Sequence, residues 1–277
     1  MTKPPPRPAS FDDLCERLAA EHETMPKRLA QTAGYLMSHP AEIAFGTTAS
    51  IAEAAGVQPS TLIRFSKAIG FDGFSDLQLL FRERLRDRNQ SYEGRLAMLD
   101  RDGSADAGRT VLGGFMAAAR ESLTVLERDL NLDEFAAAAD LLGRAGTIFL
   151  VARRRAFPPL IQLRYAFAKL GIRSEICGSV NGIDEDLLAF AGPADAAIVI
   201  SFAPYSAQSV EAAQQLHRQK VPIVAISDSP LSPLYSDASA RLLLAEADFA
   251  GFRTSAAAMT LVMALSVSIA ERRRAGA

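Results

Sequence analysis

Residues 50–78 read SIAEAAGVQPSTLIRFSKAIGFDGFSDLQ, and this stretch decides how the rest of the chain is understood. Thr48 or Ser50 can cap a short helix, Ile51–Ala55, which Gly56 ends by accepting a positive φ. A second helix begins at Pro59, a residue preorganised for a first helical position, and runs to Ile69 before Gly70 stops it. Two short helices around a glycine turn are the sequence form of a helix-turn-helix. Ala52 is small enough for the crossing point, and Leu62 anchors the second helix. At about 100° per residue, Leu62, Phe65 and Ile69 share one face of that helix, and Ser60, Arg64 and Lys67 the opposite one. A helix laid in a major groove needs this division. Arg64 can donate twice to a guanine edge, Ser60 can meet base or phosphate, and Lys67 can neutralise a phosphate. Thr61 lies beside them, and Gln58, a weak N-cap, either caps the helix or reaches toward DNA. Any surface helix has a polar face. The glycine turn, the proline start and the small Ala52 together favour the DNA reading.

Outward from this segment, helical spacing continues from Phe11 to about Arg88. Leu14 and Leu18 begin one helix; Leu29, Ala33, Leu36 and Met37 belong to another that Pro26 opens and Pro40 stops. Residues 1–10 are proline-rich and read as a disordered tail without the apolar core of a signal peptide. Arg82, Arg84, Arg86 and Arg88 form a basic series, but Glu83 and Asp87 dilute it, which suits a solvated helix face.

From about Gly146 the texture changes to short apolar runs: Thr147–Val151, Arg173–Cys177, Ala196–Ile200, Ile223–Ile226 and Arg241–Leu244. Helical segments separate the first four, which argues for a parallel sheet covered on both faces. The fold class is therefore α plus α/β: an all-helical N-terminal helix-turn-helix domain joined to a parallel-sheet sandwich. The divisions are a tail over 1–10, the DNA-binding domain over 11–89, a helical connector over 90–130 and the α/β domain over 131–277.

The composition, 49% hydrophobic and 22% charged, is that of a globular protein. A net charge of -2 excludes a broadly basic nucleic-acid coat, so any DNA binding is local. Cys15 and Cys177 make no metal or disulfide motif and read as reduced thiols of a cytoplasmic protein. The apolar stretch from Ala256 to Ala270 falls short of the roughly 20 residues a bilayer requires and reads as a buried terminal helix.

The 50–78 segment resembles the helix-turn-helix of the MurR/RpiR family of bacterial regulators, most closely around Arg64, Phe65, Gly70, Phe71, Gly73 and Phe74. Gln58 departs from it, since that family has Ser or Thr there. The resemblance implies a sugar isomerase (SIS) domain in the second half, and residues from about Asn131 to Arg274 are similar to one. It also implies a repressor that self-associates as a homodimer or homotetramer. The ligand loops diverge. Where SIS domains carry G-x-G-x-S after the first strand, this chain has Ala152-Arg153-Arg154-Arg155-Ala156. The loop usually written S-x-S-G-x-T reads Ser201-Phe202-Ala203-Pro204-Tyr205-Ser206.

Both loops follow parallel strands, where ligands of such sheets gather. Arg153, Arg154 and Arg155 can replace the lost donors and hold an anionic effector, a sugar phosphate or sugar acid, together with Ser201, Tyr205 and Ser206. Ser206 can also cap the following helix. The competing readings of the arginines are a solvated cluster and a dimer contact. Phe157, Phe202 and Tyr205 suggest an aromatic pocket.

The expected partners are a double-stranded DNA operator, a small effector and further copies of the chain, with no membrane. No cofactor, metal or catalytic residue is expected. An isomerase-type enzyme is the main rival, but His22, His39 and His217 form no base-like arrangement, and the carboxylates Glu175, Asp184, Glu185, Asp186 and Glu246 show no pairing by spacing. A scaffold that uses the helical head for protein contacts is the third possibility.

Overall fold

The computed structural model describes residues 6–21, 24–88, 107–178 and 184–275. Its contacts divide the chain into two compact units, Met1–Arg101 and Asp102–Ala277. Parts of the expected tail (1–5) and connector (90–106), and His22, lie outside the described residues.

The first unit is helical: α1 (Phe11–Glu21), α2 (Lys27–Ser38), α3 (Pro40–Phe45), α4 (Thr48–Ala54), α5 (Pro59–Ala68) and α6 (Phe74–Arg88). Leu14, Leu18, Leu36, Ile43, Ile51, Leu62, Phe65, Ile69, Leu77 and Phe81 are almost fully withdrawn from water. Burying each such side chain contributes about 1.5–3 kcal/mol before conformational entropy is counted. Pro40 ends α2 as expected but also opens α3 as its first residue, a helix the periodicity did not show. Gln78, itself buried, donates Nε2 to Ile43 O and Gly46 O, and Arg82 donates to Ala44 O. These bonds satisfy carbonyls at the C-terminal end of α3. Arg84 lies with its guanidinium carbon 3.5 Å from the Phe11 ring centroid, so Arg82 and Arg84 are turned onto their own unit. Within the expected tail, Arg7 pairs with Asp76 at 3.0 Å and Pro8 is buried.

The second unit opens with α7 (Ala107–Asp129), which packs against the C-terminal helix rather than standing apart. Then come α8 (Leu132–Arg144), β1 (Ile148–Ala152), α9 (Phe157–Lys169), β2 (Ser174–Cys177), α10 (Asp184–Ala189), β3 (Ala196–Ile200), α11 (Ala207–Arg218), β4 (Ile223–Ser227) and β5 (Ala240–Leu243). A two-stranded antiparallel ribbon, β6 (Asp248–Phe249) with β7 (Phe252–Arg253), precedes α12 (Ala256–Ala275). Asn131 caps α8 by accepting from the Asp133 and Glu134 amides.

The five longer strands pair in parallel in the order β2-β1-β3-β4-β5. β1, β3 and β4 are buried along their whole length, hence their unbroken apolar sequences. Alternate residues feed two cores. Ile148, Leu150 and Ile198 pack with Leu142 of α8, Leu163 of α9 and Leu261 of α12. Phe149, Val151 and Val199 pack on the other face with Leu188 of α10 and Leu216 of α11. The unit is a three-layer α/β sandwich, as the sequence pattern predicted. No helix among the described residues is long and apolar enough to cross a membrane.

Candidate functional site

Two places merit attention, one in each unit. In the first, Thr47 rather than Thr48 or Ser50 caps α4, in a reciprocal box with Ser50. Gly56 takes φ +64° in the turn, and Gly70 takes φ +91° after α5, both conformations that side chains disfavour. Gln58 stands at the N-cap of α5 with no side-chain cap bond, and Pro59 is the first helical residue. Leu62, Phe65 and Ile69 are buried, while Gln58, Ser60, Arg64 and Lys67 are exposed and Thr61 is half-buried. Arg64 Nη2 donates to Ser60 Oγ at 3.3 Å, one turn back along the same face. The five nominated side chains thus lie along one short helix, whose apolar back is fixed to the unit and whose polar front is open.

The second place follows from the strand order. In a 2-1-3-4-5 sheet the chain reverses its direction of winding between β1 and β3, and the loops after these strands diverge to leave a crevice. Residues 153–155 follow β1 and residues 201–206 follow β3, so the topology brings together the two loops singled out in the sequence. At the adjoining end of β2, Gly178 has φ +155°, and a Cβ there would collide with the Ala152 carbonyl oxygen.

Within this crevice two of the three arginines are already paired. Arg153 donates from Nη2 to Asp184 Oδ2 at 2.6 Å and from Nε to Gln208 Oε1 at 3.0 Å. Arg155 donates from Nη2 to Asp228 Oδ2 at 3.0 Å and to Ala203 O at 3.3 Å, with its guanidinium carbon 4.5 Å from the Phe202 ring centroid. Asp228 also accepts from the Ala203 amide at 3.0 Å, and Arg253 from the ribbon lies 4.0 Å from it. Burial, the largest influence, pulls the Arg155 pKa below its ordinary value; Asp228 opposes that pull and Arg253 adds to it. Arg154 is exposed and holds φ +55°, a left-handed conformation, where the G-x-G-x-S pattern of SIS domains has glycine.

The serine-bearing loop is organised internally. Ser201 is buried, its Oγ accepting from the Ser206 amide at 3.2 Å and its carbonyl accepting from Ser227 Oγ at 2.8 Å. Ser206 occupies the N-cap position of α11 but makes no side-chain cap bond, contrary to the expected cap. Tyr205 is half-buried, and Phe202 is covered by Arg155 instead of lining open space. Asp184, Gln208, Asp228 and Arg253 join these loops through the contacts above. Sequence spacing could not find them, because they lie 31 to 73 residues from their arginine partners or, for Arg253, in a short ribbon without an apolar pattern. His217 is exposed on α11, and His39 stacks on Tyr35 in the first unit, so neither joins the crevice. Among the described residues no cluster of His, Cys, Asp and Glu could hold a metal ion.

Comparison with known families matches residues 13–87 to the helix-turn-helix domain of the rpiR family and residues 141–268 to the SIS domain. Comparison with curated protein sequences found no match. Among solved structures, the Vibrio vulnificus NanR protein complexed with ManNAc-6P is similar, with 17% identity and a TM-score of 0.56 over 93% of this chain and 91% of that one. The sugar isomerase domain of an RpiR transcription factor from Sphaerobacter thermophilus shares 23% identity with a TM-score of 0.53, covering 58% of this chain and 92% of that one. An E. coli CFT073 protein, c3406, in complex with A5P shares 17% identity with a TM-score of 0.53, covering 62% and 94% respectively. At these identities the likeness is one of fold.

Proposed function

The chain belongs to the MurR/RpiR family of DNA-binding transcription regulators, and from that premise we propose that it is a repressor released from, or directed to, its operator by a small anionic metabolite. The observation that carries the DNA-binding half is the division of α5, with Leu62, Phe65 and Ile69 inward and Ser60, Arg64 and Lys67 outward. Arg64 reads a base edge, Ser60, Thr61 and Gln58 make polar contacts near the helix start, and Lys67 neutralises a phosphate. The protein acts as a homodimer or homotetramer, so that two heads meet two half-sites.

The effector binds in the crevice between residues 153–155 and 201–206. Its acidic group exchanges with the Asp228 carboxylate on Arg155, and Arg154 supplies a further positive charge. Family members cradle a phosphate with glycine and serine at these positions; arginines paired with internal carboxylates suit a sugar acid or sugar phosphate that can displace one carboxylate. The helix-turn-helix domain matched over residues 13–87 favours a regulator over an isomerase.

The test has two parts. Titration of the protein with DNA should show affinity that falls steeply with added salt, together with preference for particular sequences. A thermal-shift screen of sugar phosphates, sugar acids and small carboxylates should identify compounds that raise the melting temperature of the wild type but not of an Arg153→Ala, Arg155→Ala double variant. Salt-insensitive, sequence-blind binding would rule out the regulator. Equal shifts in both proteins would move the effector elsewhere.

A further inference from the structure

The turn of the helix-turn-helix is held from outside by α2, and the hold leaves a cation in place. Gln31 donates Nε2 to Ala55 O at 2.9 Å. Arg28, one turn earlier and exposed, donates Nη1 to Gln31 Oε1 at 3.1 Å and reaches Gly56 O at 3.5 Å. Gln31 of α2 is therefore bonded to the Ala55 carbonyl, and it holds Arg28 within reach of the Gly56 carbonyl that precedes Val57 and the start of α5.

The bracing itself needs only Gln31. The Arg28 contact to Gly56 O is at the outer limit of a hydrogen bond and involves a neutral acceptor. Among the described residues Arg28 has no carboxylate at ion-pair distance, unlike Arg7, Arg17, Arg153 and Arg155. Its guanidinium carries five N–H groups, and the contacts above use Nη1 alone. Among the described residues this guanidinium fork is thus oriented by a neighbour, faces no carboxylate and lies beside the turn that leads into α5.

Position gives this fork its use. When a recognition helix enters a major groove, its N-terminal residues approach the base edges, and the turn before it passes close to the sugar-phosphate ridge. The geometry points to Arg28 as a phosphate clamp: a sequence-independent contact from α2 that fixes the register in which Ser60 and Arg64 meet the bases. This rests on the reading of α5 as the recognition helix. Guanidinium suits the task because its planar fork matches two phosphate oxygens.

Phosphate contacts carry no sequence information, so the test does not require the operator. Full-length protein is titrated onto a labelled mixed-sequence duplex of about 30 base pairs at salt concentrations from about 50 to 200 mM. Arg28→Ala should lower the slope of log K against log salt by about 0.9, and weaken binding about eight-fold near 0.1 M salt. Arg28→Lys should keep most of the slope because it keeps the charge. Gln31→Ala, which removes the brace and not the charge, should keep it too. An Arg28→Ala slope equal to that of a steeply salt-dependent wild type overturns the clamp and leaves the regulator standing. Equal slope losses in Arg28→Ala and Gln31→Ala would assign the pair a bracing role and also overturn it. If the wild type shows no salt dependence, the recognition-helix reading fails first, and the clamp with it.

Discussion

Arg155 donates from Nη2 to Asp228 Oδ2 at 3.0 Å, joining the loop after β1 to the loop after β4 across 73 residues of sequence. The same carboxylate accepts from the Ala203 amide, so one aspartate ties together the ends of three neighbouring strands. An internal anion thus occupies donors that could serve a ligand.

Replacing Asp228 with Asn keeps an acceptor for the Ala203 amide and leaves Arg155 without its counter-charge. Because both side chains remain partly accessible, the expected loss is about 1–2 kcal/mol, with Asp228→Ala worse. Urea denaturation measures this. If the carboxylate keeps competing anions out, inorganic phosphate should raise the melting temperature of Asp228→Asn more than that of the wild type.

Arg154 has φ +55°, which costs a non-glycine residue about 1–2 kcal/mol. Arg154→Gly should raise stability by up to about 1 kcal/mol after the added freedom of the unfolded chain is subtracted, and Arg154→Val should lower it. The shift in urea midpoint between the two variants tests the sign.

On a duplex selected by the protein from a random pool, Arg64→Ala should cost about 1–3 kcal/mol of discrimination against altered bases. Lys67→Ala should weaken selected and unselected duplexes alike. A uniform effect from Arg64→Ala would remove it from base reading.

The Cys177 thiol is pushed up to about 12, chiefly by burial and then by the negative charges of Asp184 and Glu175, with Arg153 opposing. Iodoacetamide at pH 8 should leave Cys177 unlabelled in the folded protein and label it on unfolding. A raised folded-state pKa favours the protonated native form, so this contribution is complete below the unfolded value of 9.0 and is lost as pH climbs toward 12. The stability difference between wild type and Cys177→Ala should therefore be constant from pH 6 to 8 and shrink above about 9.

Ser122 on α7 is fully buried, accepts from the Ala247 amide at 2.9 Å and lies 3.1 Å from Thr254 Oγ1, which donates to Glu246. Ser122→Ala orphans that amide and should destabilise the protein by about 1–3 kcal/mol in the same urea assay.

Much of the architecture is legible in the residues. The strands from Ile148, Ala196 and Ile223 can be read because a parallel strand covered on both faces has no polar positions to disguise it. The inward face of α5 can be read because Leu62, Phe65 and Ile69 recur at the helical period. The six-residue helix α3 is too short to show a period, and Pro40 serves equally well as the stop of one helix and the start of the next.

By itself, then, the order of residues determined a helical head and a parallel sheet covered on both faces, both written in local periodicity, and a family resemblance singled out the loops after the first and third strands. The strand order that sets those loops on either side of a switch point came from the fold. Only the tertiary structure decided that Arg153 and Arg155 are already matched to Asp184 and Asp228, that Phe202 lies under a guanidinium, and that α2 sets Arg28 against the turn. Charge pairing acts through space over a few ångströms, and the crossovers of a parallel sheet bring together residues whose distance along the chain says nothing of their distance in the fold.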